Sequence, residues 1–167
     1  MVFKNSQEKM AFELAAGMDA EQQLLQGMQQ FRQIASNPQL QQLLDRHIEQ
    51  TQQQIQQLQQ AAGMLGGQQQ ATCQAARGLV ADGQMIVEQC ALPEMRDCAI
   101  GASWLKAEHF EMACYRGMMM AAQALGQQEL QQTIQQILQQ EEQTAQQIEQ
   151  AMPQILQQSL QAETAMA

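Results

Sequence analysis

The sequence predicts an all-α fold, and three observations carry that prediction. Residues of high strand preference are scarce, while Ala, Leu, Met, Gln and Glu dominate. Apolar residues recur at three- and four-residue steps along most of the chain. Chain-breaking signals gather at a few points only: Asn37-Pro38, Gly63 with Gly66 and Gly67, Leu92-Pro93-Glu94, Gly126 and Pro153. The 167 residues suit one domain, 1–167, with a sizeable core.

Five helices follow in order. The first, 6–35, stops before Asn37-Pro38, and its stripe runs Met10, Leu14, Gly17/Met18, Leu24/Leu25, Met28, Phe31. The second, 38–64, carries Leu40, Leu44, Thr51, Ile55 and Leu58 and ends at the glycines. A shorter third helix spans 70–90. The fourth, 94–124, has Pro93 near its first turn and carries Ile100, Trp104, Tyr115 and Met118/Met119. The fifth, 127–152, carries Leu130, Ile134, Ile137/Leu138, Ala145, Ile148 and Met152, and Pro153 is expected to end or kink it. Four long helices with a short crossover helix between the second and third describe a ferritin-like four-helix bundle.

The composition is unusual in one respect. Glutamine accounts for 41 residues and charged residues for only 15%. The Gln-rich stretches around 52–60 and 131–147 could be disordered, but Ile55, Leu58, Leu130, Ile134, Ile137, Leu138 and Ile148 interrupt them at helical spacing. Gln is a good helix former, so these stretches read as solvated helix faces. A formal charge of -9 argues against nucleic acid, since phosphate binding needs clustered Lys and Arg, and disfavours anionic membrane surfaces. No apolar run approaches the ~20 residues of a membrane span. Residues 1–6 lack the apolar region of a secretory signal, so a cytoplasmic location is expected. Cys73, Cys90, Cys98 and Cys114 show neither a CxxC pair nor zinc spacing and read as reduced core thiols.

The stripes are interrupted by ionisable groups. Glu21 sits mid-stripe in the first helix and His47 in the second; Glu108 and Glu111 sit mid-stripe in the fourth, and Glu141 in the last. All four long helices thus place such a group near mid-length on the face to be buried. A lone buried carboxylate protonates or finds a partner. The nearest bases, Lys106 and Arg116, fall on other faces. Four inward carboxylates would balance two divalent cations, and Glu108 and Glu111, three residues apart, reach one point. His47 would add a neutral nitrogen. Oxygen ligands plus imidazole suit iron, as one ion or a pair, or manganese.

These same residues carry a family resemblance over nearly the whole chain. Asp19-Ala20-Glu21-Gln22-Gln23-Leu24 resembles D-A-E-x-Q-L, and His47-Ile48-Glu49-Gln50-Thr51 resembles H-L-x-E-T. Residues 73–79, CQAARGL, resemble C-x-A-M-E-G-L, and Arg96-Asp97-Cys98-Ala99-Ile100 resembles R-D-A-A-L-I. Glu108-His109-Phe110-Glu111-Met112-Ala113 resembles E-H-Y-E-I-A, the most specific of the set, and Leu125-Gly126 and Leu138-Gln139-Gln140-Glu141 echo L-G and T-L-x-E-E. The pattern is similar to that of the YciE/YciF family of ferritin-like bacterial stress proteins. The resemblance implies a dinuclear metal site, stress-related expression and a homodimer. Carried over by position, the ligands are Glu21, His47, Glu108, Glu111 and Glu141. The chain departs from the family pattern at Gln50, Gln140, Ala145 and Arg77, where the family has acids, and at Met18, where it has Tyr. Gln50 is a weaker candidate, because an amide oxygen ligates without charge.

Other residues carry blander expectations. Trp104 reads as packing, Tyr115 as a core tyrosine with a hydrogen-bonded tip or a donor to the site, and His109 as partly exposed. Met118, Met119 and Met120 point three ways, so they read as core filling rather than a copper site. The functional expectation is a metal-binding stress protein whose di-iron centre reacts with dioxygen or peroxide, as an oxidase or peroxidase-like enzyme. The alternative is a non-enzymatic structural or interaction bundle with a degenerate site. Iron storage ranks below both, since storage needs a closed shell.

Overall fold

A computed structural model of the protein describes residues 2–65 and 70–166, without the side chains of Met64 and Met166. Five helices follow one another: α1 (Ser6–Ile34), α2 (Pro38–Met64), α3 (Gln74–Glu88), α4 (Pro93–Ala124) and α5 (Gln128–Met166). No strand occurs among the described residues. The expected break at Gly66 and Gly67 lies outside them.

Local chemistry sets the ends of these helices. Asn5 caps α1 by accepting from the Glu8 backbone N–H at 2.8 Å, and Glu8 accepts in return from the Lys4 N–H at 2.8 Å. Asn37 caps α2 by accepting from the N–H groups of Gln39 and Leu40, at 2.9 and 3.0 Å, with Pro38 at the first helical position. Gly126 turns the chain between α4 and α5 at φ 69°, a left-handed conformation that glycine adopts without strain.

The long helices make a closed ring of contacts: α1 on α2, α2 on α5, α5 on α4, α4 on α1. The shorter α3 packs on α1 and α4 through Ala76 and Val80, which meet Ala20, Leu24 and Ala107. Two apolar layers fill the ring. One holds Met10 and Leu14 of α1, Leu58 of α2, Met118 of α4 and Ile134 of α5. The other holds Met28, Leu44, Ile100 and Ile148 of the same four helices. Glu21, His47, Glu108, Glu111 and Glu141 fall between these layers along their helices.

The last helix differs from the expectation: it runs through Pro153 to Met166 instead of ending there. Pro153 faces solvent, so the carbonyl that loses its backbone donor can be hydrated. Beyond it, Ile155 is buried in the second apolar layer, and Asn37 Nδ2 donates to Gln158 Oε1 at 2.6 Å. These contacts outweigh the local cost of proline. The crossover helix is shorter than 70–90, because the chain at Cys73 is still extended and its N–H donates to Asp19 Oδ2 at 2.7 Å.

The α1–α2 turn is fixed by a buried acid. Asp97 of α4 accepts from the Ser36 N–H at 2.8 Å, the Ser36 hydroxyl at 2.6 Å and the Asn37 N–H at 2.9 Å. Asp97→Ala strands these donors and is expected to cost about 3 kcal/mol of stability in chemical denaturation. A loss below about 1 kcal/mol would mean that water replaces the carboxylate there.

The Gln-rich stretches are helical, and most of their glutamines are exposed. The cysteine expectation needs correction: all four are free, but each is half-buried rather than in the core. Of the three consecutive methionines only Met118 is a core residue, while Met120 faces solvent. No helix among the described residues is long and apolar enough to cross a membrane.

Candidate metal centre

Periodicity turns the five ionisable residues inward, and each is at most 4% exposed. Glu21 is held in register by its neighbours on α1, since Asp19 accepts from the Cys73 N–H and Gln23 Nε2 donates to the Cys73 carbonyl at 3.2 Å. The start of α3 is thereby tied to the turn of α1 that carries the acid. On α4, Glu108 and Glu111 lie one turn apart on the same face.

Three of these residues converge tightly. One ligand atom from each of His47, Glu108 and Glu141 lies within 4.8 Å of the others. His47 Nε2 is 3.0 Å from Glu108 Oε1 and 3.7 Å from Glu141 Oε2. On the other ring nitrogen, His47 Nδ1 is 3.1 Å from the Thr144 hydroxyl. With the proton on Nδ1, Thr144 accepts it and the Nε2 lone pair faces the two carboxyls. Glu21 and Glu111 form a second pair beside the trio. Tyr115 donates its hydroxyl hydrogen to Glu21 Oε1, and the Glu111 carboxyl adjoins Glu21.

The electrostatics follow from this crowding. Burial, then the charge of Glu141, pushes Glu21 up to about 8, against the pull of the Tyr115 hydroxyl. Burial pushes Glu108 up to about 8 as well, against the neighbouring Glu141 carboxyl and the hydrogen bond from Trp104. Glu111 stands well above the usual carboxylate range through burial and the charges of Glu21, Glu141 and Glu108. Glu141 is raised likewise, by burial first and Glu108 second. Burial lowers His47, opposed by Glu141 and Glu21. Without a cation the carboxyls therefore hold protons near neutral pH and the imidazole is neutral, so His47 and Glu108 are a hydrogen-bonding pair rather than an ion pair.

The donor set has room for a cation. Glu108 Oε2, Glu111 Oε1 and Glu141 Oε2 are buried and have no hydrogen-bond partner. Such orphaned atoms are costly in an apolar interior and are rare in folded proteins. Among the described residues no Lys or Arg meets them; Lys106 pairs with Asp82 at 3.1 Å and Arg116 with Glu142 at 2.7 Å, both at the surface. Oxygen donors plus one imidazole nitrogen fit iron or manganese.

Three contacts lie outside the sequence expectation. Gln54, fully buried, donates Nε2 to Glu141 Oε1 at 2.5 Å and to Gln140 Oε1 at 3.0 Å. The glutamine that reaches the centre is thus Gln54. Gln50 is half-buried, and no hydrogen bond joins it to the carboxyls. The buried face of α2 runs His47, Thr51, Gln54, Leu58, and Ile55 is only half-buried. Trp104 does more than pack, since its Nε1 donates to Glu108 Oε1 at 2.6 Å. His109 is about half exposed, 3.6 Å from Glu149, and takes no part in the centre.

Comparison with known proteins gives consistent relatives. Residues 6–161 match a family described as a domain of unknown function, DUF892. YciF of Escherichia coli is 30% identical over 112 residues, 66% of this chain and 68% of that protein. Among solved structures, YcfI of Rhodopseudomonas palustris is 26% identical, with a TM-score of 0.85 over 87% of this chain and 94% of that one. The structure of the E. coli stress protein YciF, at 24% identity, superposes with a TM-score of 0.87 over 93% of this chain and 99% of that one. A protein from Xanthomonas campestris, also 24% identical, gives 0.78 over 95% of this chain and 98% of that one.

Proposed function

The chain belongs to the YciE/YciF family of DUF892 domains, and from that premise we propose that it is a metal-binding bacterial stress protein. Its fold, in this reading, is a ferritin-like four-helix bundle with α3 as the crossover helix. Glu21, His47, Glu108, Glu111 and Glu141 would hold iron, as a pair of ions, with manganese the other candidate. The observation that carries this reading is the set of three buried, unpartnered carboxylate oxygens on Glu108, Glu111 and Glu141. A cation would give each of them a partner and draw the protons off the cluster.

The surrounding residues have definite tasks. Thr144 fixes the His47 ring so that Nε2 faces inward. Trp104 holds Glu108, Gln54 holds Glu141 and Tyr115 holds Glu21, so three carboxyls are oriented before any ion arrives. The apolar layers on either side keep bulk water out. Bound iron would supply the electrons for reducing dioxygen or a peroxide. The reading places the protein in the cytoplasm as a homodimer, and the exposed Leu156 and Leu160 offer apolar surface for pairing.

A structural or interaction bundle with a degenerate site is the second reading, and Gln54 favours it. Its amide already occupies Glu141 Oε1 and bridges to Gln140. Melting curves of chelator-treated protein with and without Fe(II) or Mn(II) separate the two. A bound ion at about 100 times its Kd adds roughly 2.7 kcal/mol, or several degrees in a chain of this size. The metal-binding reading expects that rise, and an unchanged midpoint supports the degenerate site.

A further inference from the structure

A cavity of about 260 Å³ opens between α1 and α4, and its inner wall is made by the buried Glu111 and Tyr115. Small residues make the space: Ala16 and Gly17 on α1, Ala113 and Gly117 on α4. Gly117 is the informative one. Glycine inside a helix is destabilising relative to alanine, and no close packing requires it here, since a Cβ at 117 would meet nothing within 4 Å. Its effect is to leave the cavity open. Glu13, at the rim, is already paired with Lys9, so no free charge lines the entrance. The buried Glu111 lines the inner end, and its Oε1 has no hydrogen-bond partner among the described residues.

We infer that this cavity binds the small-molecule reactant of the carboxylate centre, a neutral molecule with an apolar body and one hydroxyl or hydroperoxyl head directed at Glu111 and Tyr115. The chemistry of that reactant rests on the metal-centre reading, but its binding does not. An apolar cavity of about 150 Å³ is enough for benzene, so this one takes a body of roughly six to eight carbons. A charged head loses its hydration at the buried inner end and along the apolar walls, which penalises a carboxylate and an ammonium alike.

The test is calorimetric titration of chelator-treated protein with 1-hexanol, hexanoate and hexylamine. Saturable binding of 1-hexanol at one site per chain is expected, with at least tenfold weaker binding of the two charged analogues. Gly117→Leu should fill the cavity and weaken 1-hexanol at least tenfold without lowering the melting temperature. Ala16→Leu closes the same space from α1 and should act alike. No saturable binding, binding insensitive to both variants, or charged analogues that bind as tightly would each overturn the inference. Gly117→Leu should also bind Fe(II) with the parent's stoichiometry. A chain that takes 1-hexanol but no metal would therefore refute the metal centre alone, and one that takes metal but no 1-hexanol would refute the cavity alone.

Discussion

Glu108→Gln is expected to lower Fe(II) affinity by about 100-fold while leaving the metal-free protein at least as stable at pH 8. The substitution keeps the shape of the side chain and an acceptor for the Trp104 N–H, which lies 2.6 Å from Oε1. The new amide hydrogens stand where the unpartnered Oε2 was and can be donated to the adjacent Glu141, whose Oε2 also lacks a partner. What is lost is the charge, and with it one anionic ligand beside His47 and Glu141, and the proton Glu108 gave to His47; the ring restores that bond by carrying its hydrogen on Nε2 and accepting from Thr144 at Nδ1. Since burial pushes Glu108 up to about 8, the folded metal-free chain gains from losing a group that would ionise there. Isothermal titration with Fe(II) under anaerobic conditions, paired with thermal melts, reads both effects. Unchanged Fe(II) affinity would remove Glu108 from the ligand set.

The metal-free protein is expected to lose stability as the pH rises from about 5 to about 8, and bound metal to reverse that trend. Glu21 and Glu108 are pushed up to about 8 from the ordinary 4.5, and Glu111 and Glu141 are raised in the same direction. Between 4.5 and 8 the folded state holds protons that the unfolded chain has released, so unfolding becomes more favourable with rising pH. His47 opposes this: its folded pKa is below 6.5, so its contribution to stability is lost as the pH falls below 6.5. One imidazole against four carboxyls leaves the carboxyl trend dominant, and a fall of about 10 °C in melting temperature between pH 5 and 8 is expected. With metal bound the carboxylates must be ionised, so the midpoint should rise with pH instead. A flat apo profile between pH 5 and 8 would mean that water reaches the carboxyls.

Much of the fold and the burial of the five ionisable residues are legible because helical periodicity is a strong signal. Glu21, His47, Glu108, Glu111 and Glu141 stand out since each is an ionisable group at a step where its neighbours are apolar. Gln54 was hidden for the opposite reason. It lies among the exposed Gln52, Gln53 and Gln56 and the half-buried Gln57, and residue type cannot mark the one buried glutamine among them. Its position seven residues, or two turns, beyond His47 was the available signal. The nearby Ile55 misled, because an apolar residue in a polar run claims the stripe although the face has turned by one position. Trp104 was legible in principle, one turn before Glu108 with a donor that needs a partner when buried. Pro153 shows the limit of local rules: the continuation of α5 depends on Ile155 and on Gln158 meeting Asn37, contacts from distant parts of the chain.

A working metal centre requires that the buried carboxyls and His47 retain a cation. The most direct test is elemental mass spectrometry of protein reconstituted anaerobically with Fe(II), followed by absorbance on admitting oxygen. About two irons per chain are expected, absent from a variant lacking His47 and Glu108, with an absorbance change on admitting oxygen. No retained iron, with the inward carboxyls staying protonated, would contradict the metal-binding reading and leave a structural bundle with a vestigial site.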